Sequence, residues 1–373
     1  MLKFKIDKKF NVIILFICSI TIFISNMISL NIFHLNETIT SKYIVILIFC
    51  ILIALIKKFK YVKTDKKNLK FLILWIMFIG AILISKIIND SSNIIDILIL
   101  LFVITIFFFI KSNYYIEKYI SLSCAINLIP LVMILKNGNT LGIILTFIAV
   151  ECINIKIREY SDKGKINLYI IMVLFFVTLI FITKSRTSLI SFLIVAIINY
   201  IYLLKQNKFY IKKILGYIVL IACLIISSNT ITNILLDKYE GSRNDLTSGR
   251  SQMWEQIIND NIPLFGNKDS YFMDNFNIGD AHNVYFQILG HYGIIALSLY
   301  IMINIYVIIK IWKNDKKLEF INFFLCYFII GMFENILMTD TKFIICNILL
   351  FTYLGRLLRK DEKKAVLPES ELK

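Results

Sequence analysis

The chain has 373 residues and a formal net charge of +16, and 58% of its residues are hydrophobic. A soluble domain is nearer about 45–50% apolar, so the composition excludes an ordinary soluble globular protein and predicts an integral membrane protein. Only 3 prolines and 13 glycines interrupt the chain, which favours transmembrane helices over a β-barrel, whose strands alternate apolar and polar residues.

Apolar runs of about 17–25 residues recur from the N-terminus onwards, and this is the length that crosses a hydrocarbon core of roughly 30 Å. They predict an all-α fold, a polytopic membrane helix bundle of about 12 transmembrane helices within residues 1–360. The polar segment 361–373 is expected to be a disordered cytoplasmic tail. The predicted spans are residues 10–33, 41–56, 69–88, 93–110, 116–135, 139–157, 166–184, 187–204, 211–236, 283–309, 318–336 and 340–358.

Positive charge is concentrated in alternate loops. If the N-terminus is cytoplasmic, most of the 41 lysines and arginines lie on the inner side, so the positive-inside rule predicts that both termini are cytoplasmic. Topology and the anionic inner lipid surface then account for the net charge. No nucleic-acid partner is expected.

One polar segment, residues 237–282, is much longer than the other loops and is predicted to lie outside the cytoplasm. Loops of this length are uncommon unless they are functional, so this extracytoplasmic loop is expected to carry catalytic residues. Its stretch LTSGRSQMWEQIIND predicts a short helix that Thr247 or Ser248 caps. Pro263 should break that helix and Gly266 should form a turn. The predicted apolar face of the helix consists of Met253, Trp254, Ile257 and Ile258.

Four polar side chains far apart in the sequence are placed by this topology on the outer side: Arg186, Arg250, His282 and Glu334. Arg186 lies in a short turn between two spans, where an arginine is costly unless it is paired or faces water. Its fork of N–H donors suits phosphate oxygens. The alternative is a turn residue that snorkels to the interface.

Arg250 opens the predicted loop helix. A cation there opposes the helix dipole, so an anionic partner is expected. That partner is either a ligand phosphate or a carboxylate of the loop, from Asp245 or Glu255. Arg243 is a weaker candidate of the same type.

His282 is predicted to start the span 283–309, where it can accept or donate a proton near neutral pH. The alternative is an interfacial histidine that caps the helix. His291, nine residues later, falls on the opposite helix face and is expected to be a packing or hydrogen-bonded residue. The three histidines are scattered and all seven cysteines lie in apolar runs, so no metal site, disulfide framework or cofactor is expected.

The order of several short motifs resembles the O-antigen polymerase and O-antigen ligase superfamily. The motifs are TKSRTSLISFL, then SGR followed by a tryptophan, then PLFGNK, then AHNVYFQILGHYGIIAL, and they lie within roughly residues 180–300. Elsewhere the resemblance rests on the pattern of spans. The chain departs from the superfamily at FGNK, which replaces the commoner Gly-x-Gly ending of that turn.

The resemblance implies a metal-independent glycosyltransferase with a GT-C-like membrane bundle in the bacterial cytoplasmic membrane. Such enzymes transfer an oligosaccharide from undecaprenyl diphosphate to an acceptor hydroxyl. It implies that Arg186 and Arg250 grip the diphosphate and that His282 engages the acceptor hydroxyl as base or orienter. The implied substrate-binding residues are Arg186, Arg250, Arg243, Asn283 and Glu334.

Three functions remain in competition. The favoured one is the polymerase of an O-antigen, capsule or exopolysaccharide, with a chain-length regulator as an expected partner. A ligase to lipid A or a protein O-oligosaccharyltransferase is the alternative within the superfamily. A lipid-linked oligosaccharide flippase is a different class, but it would spread functional charges through an inner cavity, whereas these candidates share the outer face.

Overall fold

A computed structural model describes residues 69–91, 94–109, 128–129, 132, 138–159, 166–206, 250–260, 262–314, 317–337, 339 and 341–358. In these ranges every regular element is helical, and no strand is present. The helices are α1 (Leu69–Ile88), α2 (Ile94–Phe109), α3 (Asn139–Glu159), α4 (Ile166–Ile182), α5 (Arg186–Gln206), α6 (Arg250–Asn259), α7 (Tyr271–Phe276), α8 (Val284–Trp312), α9 (Lys317–Phe333) and α10 (Ile344–Leu358), with a 3₁₀ turn at Thr341–Phe343.

The predicted spans that fall on described residues coincide with helices α1 to α5 and α8 to α10, with ends that differ by a few residues. Three helical stretches, Leu69–Ile88, Arg186–Leu203 and Val284–Trp312, are long and apolar enough to cross a membrane. The apolar stretches of the other helices in this group are shorter. The predicted spans 10–33, 41–56 and 211–236, most of 116–135, and the tail 361–373 lie outside the described residues.

The helices pack in pairs, with α1 along α8, α2 along α10, and α5 along α9. Aromatic rings fill these contacts, as where Phe78 and Tyr300 lie with centroids 5.7 Å apart. The outward faces are apolar too, since Ile76 is 65% and Phe102 is 64% exposed. A helix that is apolar on all sides needs an apolar surrounding, so the described part of the chain is an all-helical protein suited to a lipid environment.

A buried polar network joins four helices, α3, α5, α9 and α10, near the start of α9. Nδ2 of Asn322 donates to Oδ1 of Asn154 at 2.7 Å and to Oδ1 of Asn199 at 2.9 Å, and Nδ2 of Asn154 donates to the Tyr353 hydroxyl at 2.7 Å. The Tyr353 hydroxyl donates in turn to Glu151. Side-chain hydrogen bonds of this kind hold helices together where apolar burial gives no net gain.

The longest helix, α8, is bent at Gly293, whose φ of 83° and ψ of −175° are not helical. Tyr285 and Tyr300 lie on either side of the bend with ring centroids 5.7 Å apart, although a straight helix would separate them by about 22 Å. Nδ2 of Asn283, just before α8, donates to the carbonyl of Met332 at 2.8 Å. The bend therefore brings the start of α8 against the end of α9.

At this bend, α8 forms backbone hydrogen bonds with the loop that precedes it. The N–H of Ile295 donates to the carbonyl of Leu264 at 3.3 Å, and the N–H of Asn267 donates to the carbonyl of Gly290 at 3.0 Å. A bend frees backbone groups that must find partners inside an apolar bundle. The loop supplies those partners, so loop and helix form one unit.

Two glycines make this close approach feasible. Gly266 has a φ of 73° and Gly293 a φ of 83°, a left-handed region that favours glycine. A Cβ on Gly266 would collide with the carbonyl of His291, and one on Gly293 would collide with the carbonyl of Leu264. The turn predicted at Gly266 is confirmed, and its shape is set by contact with the bent helix.

Candidate functional site

The candidate site is built around the carboxylate of Glu334, which directly follows α9. A carboxylate is unfavourable at a helix C-terminus, where the free carbonyl groups carry partial negative charge, so Glu334 needs donors or cations nearby. Its Oε1 accepts a hydrogen bond from Nδ2 of Asn139, the first residue of α3, at 3.1 Å. The Glu334 side chain is only 11% exposed, which strengthens its interactions with neighbouring charges.

Helix α6, which carries Arg250, is held in place by its apolar face. Met253 and Ile257 are buried, and Nε1 of Trp254 donates to the carbonyl of Ala281 at 2.8 Å. These contacts fasten α6 to the chain just ahead of α8. They fix the position of Arg250 at the start of the helix.

The predicted loop helix is confirmed, with one correction to its apolar face. Met253, Trp254 and Ile257 make the contact, but Ile258 is 66% exposed because it is rotated by about 100° from Ile257. The helix ends at Asn259, ahead of Pro263 as predicted. The predicted caps, Thr247 and Ser248, lie outside the described residues, as does Arg243.

Arg250 extends from α6 to the end of α9. Its Nη1 donates to the carbonyl of Phe333 at 2.8 Å, and its Nη2 lies 3.8 Å from Oε1 of Glu334. Among the described residues its anion is therefore Glu334 rather than Glu255, which is exposed on α6. The other predicted partner, Asp245, lies outside the described residues. A guanidinium has five N–H donors, so these two contacts leave donors for a second anion.

His282 lies before α8 rather than in its first turn. Its φ of 48° is in the left-handed region, where a non-glycine residue is uncommon and points to a functional constraint. Its backbone N–H donates to Oδ1 of Asp280 at 2.8 Å. Its Nδ1 is buried, 3.3 Å from Oδ1 of Asp280 and 3.5 Å from Oε2 of Glu334, without hydrogen-bond geometry to either.

The cap of α8 is Asn283, so the alternative role of His282 as the cap is wrong. Oδ1 of Asn283 accepts from the N–H groups of Tyr285 at 2.8 Å and Phe286 at 3.2 Å, as an N-cap does. Because its Nδ2 binds the carbonyl of Met332, both polar ends of the Asn283 side chain are engaged within the protein. Its predicted substrate-binding role stays a prediction.

Arg186 begins α5 after a tight turn. Lys184 in that turn has a φ of 57°, and the Ser185 hydroxyl lies 2.7 Å from that of Ser188. Gly142 of α3 lies against the turn, because a Cβ on it would fall 2.5 Å from Cβ of Ser185. The turn thus fits closely onto the first helical turn of α3.

This contact joins the Arg186 turn to the Glu334 site. The carbonyl of Thr183 accepts from the N–H of Gly138 at 3.2 Å, and the next residue, Asn139, is the donor to Glu334. Arg186 is partly exposed, and no residue in the described ranges pairs with its side chain. Since this guanidinium has no anionic partner among the described residues, it is available to an external anion.

The structure therefore brings Arg250, His282 and Glu334 together and links Arg186 to them through α3. Sequence reasoning missed Asp280 and Asn139, which contact His282 and Glu334. Asp280 had a local signal, because an aspartate two residues ahead of a backbone N–H commonly accepts its hydrogen bond. Asn139 had no such local signal, because its partner Glu334 is remote in the chain.

His291 lies among the contacts that fasten the loop to α1, where its carbonyl accepts from the Ser85 hydroxyl at 2.9 Å. Its Nδ1 lies 3.2 Å from Nε2 of Gln287, as expected for a hydrogen-bonded residue. The helical-rotation argument that separated it from His282 does not apply, because His282 precedes the helix.

The loop is also tied to the end of α1 by an ion pair. Lys86 is buried and donates to Asp269, which also accepts from Ser91. Burial raises the pKa of Asp269, but the hydrogen bonds from Lys86 and Ser91 and the charge of Lys86 outweigh it and hold that pKa below its ordinary value. The carboxylate is therefore charged and keeps the loop attached.

Comparison of the chain with known protein families and with curated proteins finds no match.

Proposed function

We propose that the protein is the polymerase of a bacterial surface polysaccharide, an O-antigen, capsule or exopolysaccharide. It would transfer a growing glycan from undecaprenyl diphosphate to a lipid-linked repeat unit. The observation that carries the proposal is the convergence of Arg250, His282 and Glu334 from three separate parts of the chain. The superfamily resemblance of the surrounding motifs supports it, and the turn that carries Arg186 is joined through α3 to Asn139, the donor to Glu334.

The chemistry assigns one task to each group. The acceptor hydroxyl oxygen attacks the anomeric carbon of the donor sugar while the bond from that carbon to the diphosphate oxygen breaks. The bonding electrons leave with undecaprenyl diphosphate, whose charge Arg186 and Arg250 stabilise in a site of low polarity. Nε2 of His282 takes the hydroxyl proton. Fixed guanidinium groups supply the charge stabilisation, so the proposed mechanism is independent of metal ions.

The proposal is tested with purified protein in lipid nanodiscs and a repeat unit linked to undecaprenyl diphosphate. We expect a ladder of lengthening products in the presence of a chelator, because arginines carry the leaving-group charge. Transfer only onto lipid A or a peptide would replace the polymerase by a ligase or O-oligosaccharyltransferase. Movement of intact donor across the bilayer without new glycosidic bonds would replace it by a flippase.

The proposed setting is the bacterial cytoplasmic membrane, crossed by about 12 helices with both termini inside and residues 237–282 outside. A chain-length regulator is the proposed protein partner. The orientation of the chain can be tested at Lys268, in the loop that precedes α8, and at Lys313, directly after α8. Both side chains are exposed.

Lys268→Cys is expected to react with an impermeant thiol reagent on intact cells, and Lys313→Cys only after the cells are opened. The unsubstituted chain controls for the seven native cysteines. The reverse pattern of labelling would put the candidate site in the cytoplasm, where no lipid-linked repeat unit is polymerised, and the proposed function would fall.

A further inference from the structure

Glu334 contacts both proposed functional groups at once. Its Oε1 faces Arg250 at 3.8 Å and accepts from Asn139 at 3.1 Å, while its Oε2 lies 3.5 Å from Nδ1 of His282. No other described carboxylate is within ion-pair distance of both Arg250 and His282. A change in one of these interactions must therefore affect the other.

The pairing of Arg250 with Glu334 is easily exchanged. At 3.8 Å it is long for a charge-assisted hydrogen bond, which is about 2.7–2.9 Å. The arginine is held independently of Glu334, because its Nη1 donates to the carbonyl of Phe333 at 2.8 Å. An incoming diphosphate can thus take the donors that face Glu334 while Arg250 stays anchored.

When the diphosphate replaces Glu334 as the partner of Arg250, the interactions open to the Glu334 carboxylate change. Before the diphosphate arrives, Arg250 partly neutralises a carboxylate that follows a helix C-terminus. Once the guanidinium is engaged by phosphate oxygens, Glu334 keeps only Asn139 and His282 among its described partners. Nδ1 of His282 is buried and lacks a hydrogen bond, so it is the group to which the freed carboxylate turns.

Building on the proposed function, we infer that Glu334 occupies Arg250 in place of the donor diphosphate and, once displaced, orients His282 for the acceptor. Glu334 is in this sense a positioning residue that couples donor binding to acceptor activation. A carboxylate that accepts from Nδ1–H leaves Nε2 as the base, the arrangement in which a carboxylate orients a catalytic imidazole. Donor binding then precedes activation of the acceptor.

The test is Glu334→Gln, which preserves shape and the oxygen that accepts from Asn139 but removes the competing charge. Binding of undecaprenyl diphosphate to the protein in nanodiscs should tighten by about 3- to 5-fold, because the competing ion pair with Arg250 is long and therefore weak. Turnover at saturating donor should fall by about 10²-fold, because His282 loses its orienting carboxylate. A residue that only supported the fold would not strengthen binding while it slowed turnover.

Asp280→Asn is the matched control, because Asp280 also lies beside Nδ1 of His282 but is not within ion-pair distance of Arg250. It should slow turnover and leave donor affinity unchanged. If Glu334→Gln is not obtained folded, Glu334→Asp, which draws the charge back from Arg250, should also bind the donor more tightly.

Two outcomes would overturn the inference alone. The first is that the Glu334 variants bind the donor no more tightly than the wild type, while Arg250→Ala still loses donor binding. The second is that Asp280→Asn tightens donor binding as much as Glu334→Gln does. If Arg250→Ala binds undecaprenyl diphosphate like the wild type, the donor site of the proposed function is wrong, and the inference falls with it.

Discussion

Replacing His282 with alanine is expected to lower turnover by about 10²–10⁴-fold, the usual contribution of a positioned acid or base. Binding of the donor should change little, because the proposal assigns the diphosphate to the arginines. Burial of Nδ1 between Asp280 and Glu334 and the left-handed backbone of His282 are the reasons to expect a catalytic rather than a packing role. The measurement is the initial rate of polymer formation at saturating donor, with donor binding followed in parallel.

The matched control is His291→Gln, which retains a polar side chain beside Gln287. This variant should keep most of the wild-type rate, because His291 serves the attachment of the loop. Normal turnover by His282→Ala would remove the histidine from the mechanism. A folded His291→Gln variant without activity would indicate that His291, and not His282, is the base.

The arginine variants are expected to lose donor binding as well as product. Arg186→Ala and Arg250→Ala should each weaken binding of undecaprenyl diphosphate by about 10- to 100-fold, since a hydrogen bond to a charged group contributes about 1.5–3 kcal/mol. No long polysaccharide should appear on an immunoblot while the protein still inserts. Arg186→Lys should also produce little long polysaccharide, because a point charge does not reproduce the fork of N–H donors of a guanidinium.

Lys184→Gln is the control for Arg186, because it removes an exposed cation two residues earlier in the same turn. Its polymer ladder should match the wild type, which would exclude a general effect of charge. A wild-type ladder from Arg250→Ala would leave that residue as an ion pair with Glu334, worth about 0–1 kcal/mol, and would withdraw it from donor binding.

The helices could be predicted because their signal is local. Apolar length alone locates α1 to within a residue, and the pattern around Trp254 gives the loop helix. The short motifs pick out Arg250 and His282, and the predicted topology places Glu334 on the same side of the membrane. Nothing more than hydropathy and charge is needed for these features.

The contacts within the site could not be predicted, because they join residues remote in the chain. Asn139 and Glu334 are joined only through the packing of α3 against α9. The bend at Gly293 was not predicted, because the length and hydropathy of residues 283–309 predict one continuous span, which the structure shows to be bent. The helical wheel that placed His282 and His291 on opposite helix faces also failed, because His282 precedes α8 and is not helical.

The insertion of the loop backbone into the bent α8 also bears on how such proteins diversify. Because Leu264 and Asn267 share main-chain hydrogen bonds with Ile295 and Gly290, the loop is not an exchangeable appendage. A foreign loop grafted at this place must carry the glycine pair and the register of both segments together. Substitutions that preserve this contact are expected at exposed loop positions such as Ile258 and Met273, whereas the loop and α8 must be exchanged together.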